Sequence, residues 1–97
     1  MANTLLSIQV IPKTPGNEDS IPYVDRAIEV IQQSGLKHEV HPLETTIEGE
    51  LTELLDVVRR MHEALVEAGS PSIISQIKIA HYPQGISMDQ LTEKYRP

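Results

Sequence analysis

Residues 36–50 read LKHEVHPLETTIEGE, and the fold turns on how that stretch divides. Val40 is flanked by Glu39 and His41, the in-and-out alternation of a strand with one face toward a core. Pro42 has no N–H to give to a ladder, so it marks a strand end or an edge. A tight connection near Leu43 and Glu44 leads into a second run, TTIEGE, whose one strongly apolar residue is Ile47. The stretch therefore reads as two short strands joined by a turn. A chain of 97 residues needs most of its strand surface for a core. A strand spent on Thr45, Thr46, Glu48 and Glu50 either faces water at an edge or lines a polar site.

Before this hairpin, Ile21, Val24, Ile28 and Ile31 recur at spacings of three and four, the stripe of an amphipathic helix. Ser20 caps it, Pro22 suits its first turn, and Gly35 stops it. Earlier still, TLLSIQVIP places Leu6, Ile8 and Val10 on one strand face and Leu5, Ser7 and Gln9 on the other, and the turn-rich KTPGNEDS follows. After the hairpin, LTELLDVVRRMHEALVEAG carries Leu51, Leu54, Leu55, Val58, Met61 and Leu65 as a second helical stripe, stopped by Gly69. A strand follows over roughly Ser72 to His81, with Ser75, Ile77 and Ile79 on one face and Gln76 and Lys78 on the other. SMDQLTEKYR closes the chain as a short helix, with Ser87 and Gln90 at capping-box spacing and a stripe of Met88, Leu91 and Tyr95.

The order is β-α-β-β-α-β with a short C-terminal helix. Two interleaved right-handed crossovers give an antiparallel sheet with both main helices on one face. The expectation is an α+β, ferredoxin-like fold, one domain over residues 1–97. Leu6, Ile8, Val10, Val40, Ile47, Ile77 and Ile79 should face the helices. The open face should collect Ser7, Gln9, Glu39, His41, Thr46, Glu48, Gln76 and Lys78. Water can account for a polar open face. Yet many of these side chains are short or uncharged, unlike the Lys and Glu of a merely soluble surface, and they suit a confined site.

Composition narrows the function classes. The chain has no Phe or Trp and three Tyr, so bases have no aromatic platform to stack on. The net charge is -6, without a basic run, which disfavours nucleic acid and anionic membrane. With no cysteine there are no disulfides, thiolate zinc sites or thiol nucleophiles. The four histidines do not fall at metal-site spacing, so solvated or hydrogen-bonded roles are expected of them. The first residues lack the basic region and long apolar run of a signal peptide, and no stretch reaches membrane-spanning length. A soluble cytoplasmic protein is expected.

LLSIQVIP, TTIEGE, HEALVEAG and SIISQIKI, in that order across roughly residues 4–80, resemble the thiamine-binding protein family. The most specific piece is Thr45, Ile47, Glu48 and Gly49, which is similar to that family's Thr-x-hydrophobic-Glu-Gly stretch. The resemblance implies a ferredoxin-like fold, homotetramers built as dimers of dimers, and non-catalytic binding of thiamine or its hydroxymethylpyrimidine part, with no cofactor. Carried over by position, Thr45 and Glu48 lead the site, followed by Ser7 and Ser75. Thr46 and Gln9 complete a polar edge for the aminopyrimidine, Lys78 is a candidate anion contact, and His41 a candidate acid or base. Two departures stand out. Glu44 occupies a position where relatives commonly carry Gly, and AHYPQG lacks the acidic and arginine residues many relatives place there. The second departure favours thiamine over its pyrophosphate.

Strict alternation puts Thr45 and Glu48 on opposite faces; a bulge near Thr46 or a strand end at Glu48 would unite them. Glu48 also has a purely structural reading, as a carboxylate opening the second helix. Two other functions use the same fold. One is a small-molecule isomerase or monooxygenase, for which His41 and Glu48 are the nearest acid–base pair. The other is a regulatory module acting through oligomer contacts. Oligomerisation is expected because an open sheet face containing Leu5 gains by being covered.

Overall fold

A computed structural model describes residues 2–96. The segments form in the expected order: β1 (Thr4–Pro12), α1 (Ile21–Gln33), β2 (His38–Val40), β3 (Thr45–Gly49), α2 (Leu51–Glu67), β4 (Ile73–His81) and α3 (Met88–Thr92). One 3-10 turn over Glu93–Tyr95 follows α3. The strands make one antiparallel sheet in the order β2-β3-β1-β4. This is the ferredoxin-like arrangement.

Leu6, Ile8 and Ile47 face the helices and are almost fully buried, as their alternation requires. From α2 they meet Leu54, Val57, Met61 and Leu65. The buried stripe of α1 is Tyr23, Ala27, Val30 and Ile31, rotated from the stripe read off the sequence. Ile21 is exposed, while Val24 and Ile28 border a cavity rather than the packed core. Two helices cannot cover four strands, and the outer positions show it. Val40 on β2 and Ile77 and Ile79 on β4 lie on the helix side yet remain exposed.

The open face is partly covered by the chain itself. Leu5 is only 8% exposed, packed with Ile86 and Met88 from the C-terminal segment. The reason given above for oligomerisation is therefore corrected, because that end of the face is sealed within one chain. Of the short stripe expected on α3, only Met88 is buried; Leu91 and Tyr95 face outward. Its capping box forms as the spacing predicts, the Gln90 amide donating to Ser87 Oγ at 3.2 Å and the Ser87 amide to Gln90 Oε1 at 3.2 Å.

The register of β1 with β3 runs unbroken from Thr4↔Gly49 to Ile8↔Thr45. There is no bulge. Thr45 points to the helix side, and Thr46 and Glu48 to the open side. The sheet has one gap. β3 begins at Thr45, so β1 from Gln9 to Pro12 pairs with β4 alone. On its other side the backbone of that segment faces a notch rather than a strand.

Candidate functional site

The notch at the turn end of the β2–β3 hairpin is a cavity of about 180 Å³. Its walls are apolar: Ile8 and Val10 of β1, Val24 and Ile28 of α1, and Val40 at the hairpin, with Met61 of α2 also lining it. The polar contributions come from Gln9 and from the hairpin residues His41, Glu44 and Thr45. The hairpin is closed by a backbone hydrogen bond from His41 N–H to the Glu44 carbonyl, 3.0 Å. That bond sets the turn over the cavity.

Thr45 is the key polar residue here. Its side chain is 6% exposed and lines the notch. A hydroxyl can both donate and accept, so it offers either to whatever enters.

Ser7, Thr46 and Lys78 lie instead on the open face, in one cross-strand row. Glu39 pairs with Thr46, Thr46 with Ser7, and Ser7 with Lys78. Ser7 Oγ is sealed from solvent without a well-aligned hydrogen bond. The Glu44 carboxylate is the group it faces. That hydroxyl, and then the Lys78 ammonium at 3.2 Å, hold the Glu44 carboxyl below its ordinary range. Glu44 thus lines the notch through the hairpin and also meets the open-face row. Sequence reasoning noted Glu44 only as a departure from relatives. The sign that could have found it is its place in the turn, between two strands that must separate there.

Two candidates are occupied by the fold. Glu48 Oε1 accepts the Met88 amide at 2.7 Å, so its carboxylate holds the start of α3. It does not open α2, where Glu53 Oε1 accepts the Glu50 amide at 3.1 Å. Ser75 lies on the helix side, against His62. His62 Nδ1 is 2.8 Å from the Val58 carbonyl, which can only accept, so Nδ1 carries the proton. His62 Nε2 then accepts from the Ser75 hydroxyl at 2.8 Å. The remaining histidines have separate local partners: Leu36 for His38, Glu39 for His41, Thr4 for His81. Among the described residues no three potential metal ligands cluster. His41 and Glu48 do not meet either. Glu48 lies four residues, roughly 13 Å, along β3 from the turn that holds His41.

The sequence model of the thiamine-binding protein family matches residues 6–96, which take in the whole notch. A UPF0045 protein from Clostridium perfringens is 41% identical over 93 residues, covering 94% of this chain and 95% of that protein. A UPF0045 protein from Methanothermobacter thermautotrophicus is 32% identical over 73 residues, 74% of each chain. Two solved structures share the fold closely. One, a domain of unknown function (DUF77) from Bacillus cereus, superposes with TM-score 0.92 at 45% identity, covering 98% of this chain and 91% of that one. The other, a putative thiamine biosynthesis/salvage protein from Thermotoga maritima, superposes with TM-score 0.85 at 34% identity, covering 97% and 99%. With a family match across almost its full length and a relative this similar, the chain belongs to the thiamine-binding protein family.

Proposed function

We propose that the notch binds thiamine or its hydroxymethylpyrimidine part without changing it chemically, so that the protein acts as a cytoplasmic carrier or sensor. The observation that carries this is Thr45, a hydroxyl-bearing side chain only 6% exposed, in the lining of a largely apolar-walled cavity of about 180 Å³. Sites for drug-sized ligands hold about 300–1,000 Å³. The notch therefore suits one ring rather than two. The aminopyrimidine ring enters against Val24, Ile28 and Val40, with its polar edge toward Thr45 and the free backbone edge of β1. The cationic thiazolium stays at the mouth, beside the hairpin turn. A binding role also fits the separation of His41 from Glu48, which leaves the acid–base pair of the enzyme reading unassembled.

Assembly into dimers of dimers is part of the same proposal. Its support is the exposed apolar edge of β4, where Ile77 and Ile79 are 39% and 46% exposed.

Calorimetric titration with thiamine and with hydroxymethylpyrimidine tests the site, run on wild type and on Thr45→Val. Valine keeps the branched shape and removes the hydroxyl. Saturable binding weakened about twofold to tenfold in the variant is the expected result, the worth of one hydrogen bond. Absence of binding by either compound, or equal binding by wild type and variant, would overturn the reading.

A further inference from the structure

The notch exists because β3 begins only at Thr45, and the ladder fixes which backbone groups that leaves free. Along an antiparallel strand, alternate residues turn both N–H and C=O to the same neighbour. Just before β1 the Asn3 carbonyl accepts the Tyr82 amide at 2.7 Å, and just after it the Lys13 amide donates to the Ser72 carbonyl at 2.8 Å. The register with β4 runs unbroken between them. Odd-numbered residues of β1 therefore bond to β4, and even-numbered ones turn toward β3. Thr4, Leu6 and Ile8 meet Gly49, Ile47 and Thr45 there. Val10 is next in the series, but opposite it the chain has already turned back toward β2 through the bond from His41 N–H to the Glu44 carbonyl. Pro12 has no N–H to offer. Val10 thus presents a donor and an acceptor, side by side in the plane of the sheet, to the notch that it lines.

We propose that the Val10 backbone is the reading edge of the notch, selecting heteroaromatic rings that carry an acceptor nitrogen beside an exocyclic amino group. This rests on the ring-binding role proposed for the notch and adds to it the group that reads the ring. Such a ring offers what the missing β3 residue would. Its nitrogen accepts from the Val10 N–H, and its amino group donates to the Val10 C=O. A ring bonded in this way lies in the plane of the sheet, with one face toward the apolar wall of Val24 and Ile28 from α1. Backbone groups held in a sheet are pre-placed, so they fix a ligand's orientation without ordering a side chain. A ring without the amino group leaves the Val10 carbonyl facing carbon in an apolar-walled site, and that loss is the basis of selection.

Amide hydrogen exchange of the free protein tests the premise. The Val10 amide should exchange faster than those of Leu6 and Ile8, which the β3 ladder holds. Hydroxymethylpyrimidine and the same compound without its amino group are then titrated, and the Val10 amide is followed by nuclear magnetic resonance. Saturation with hydroxymethylpyrimidine should move the Val10 amide proton downfield and slow its exchange severalfold. The amino-free compound should bind about threefold to tenfold more weakly, the worth of one hydrogen bond. Three results would each overturn the proposal while the ring site stands: a Val10 amide as protected as its neighbours in the free protein, one unmoved at saturation, or equal affinity for the two compounds. If neither compound binds, both readings fail.

Discussion

Glu48 and Thr45 stand three residues apart on one short strand, and the faces they occupy separate their roles. The Glu48 carboxylate accepts the Met88 amide from 40 positions away in sequence, and so holds the C-terminal segment to the sheet. A charged acceptor at a helix start contributes about 1 kcal/mol. Glu48→Ala should therefore speed hydrogen exchange at the Met88 amide severalfold and leave pyrimidine affinity in the notch unchanged. A loss of binding equal to that of Thr45→Val would return Glu48 to the ligand site. Thr45 was legible because alternation alone fixes which way it points once β3 is recognised. The work done by Glu48 was not, since its partner is a backbone group and backbone amides leave no mark in a sequence. Ser75 was opaque for a related reason: only the packing of α2 on β4 brings His62 to it.

Among the elements, the hairpin was legible from Pro42 and the change of pattern around Glu44. The α1 stripe was misplaced because Tyr23 and Ala27 are weak markers of burial, while Ile21 and Ile28 are strong ones that here sit at a helix start and a cavity wall. The C-terminal segment was read as a helix, but its role as a cover came from long-range charge pairs. Lys37 reaches Asp89 at 2.5 Å, and Arg96 reaches Asp89 at 2.9 Å and Glu39 at 3.2 Å. Lys37 first, then Arg96, holds the Asp89 carboxyl below its ordinary range. A carboxyl depressed in the folded state adds stability above the unfolded value and loses it as pH falls through the folded one. The segment should accordingly loosen in acid, below the usual carboxylate range, before the main core opens. Amide exchange followed against pH checks this: protection should fall in α3 first, and simultaneous loss in α3 and α2 would show that the pairs do not act locally.

For the whole molecule, the order of strands and helices fixed the topology once the crossovers were taken as right-handed. What the pattern could not show was which strand positions two helices leave bare. Ile77 and Ile79 alternate as core residues should, yet they stay exposed on the edge strand β4, which α2 meets at Ser75 through His62. An exposed apolar edge strand favours pairing with another chain. Light scattering should find assembled chains for wild type and smaller species for Ile77→Lys with Ile79→Lys; a wild-type monomer at micromolar concentration would remove the assembly from the account. The central claim concerns the notch. It is tested most directly by mapping amide chemical shifts while hydroxymethylpyrimidine is added. The account predicts saturable shifts concentrated at Gln9, Val24, Ile28 and His41 to Thr45, with the row of Thr46, Ser7 and Lys78 less affected. Shifts centred on that open-face row instead, or none at millimolar ligand, would contradict it.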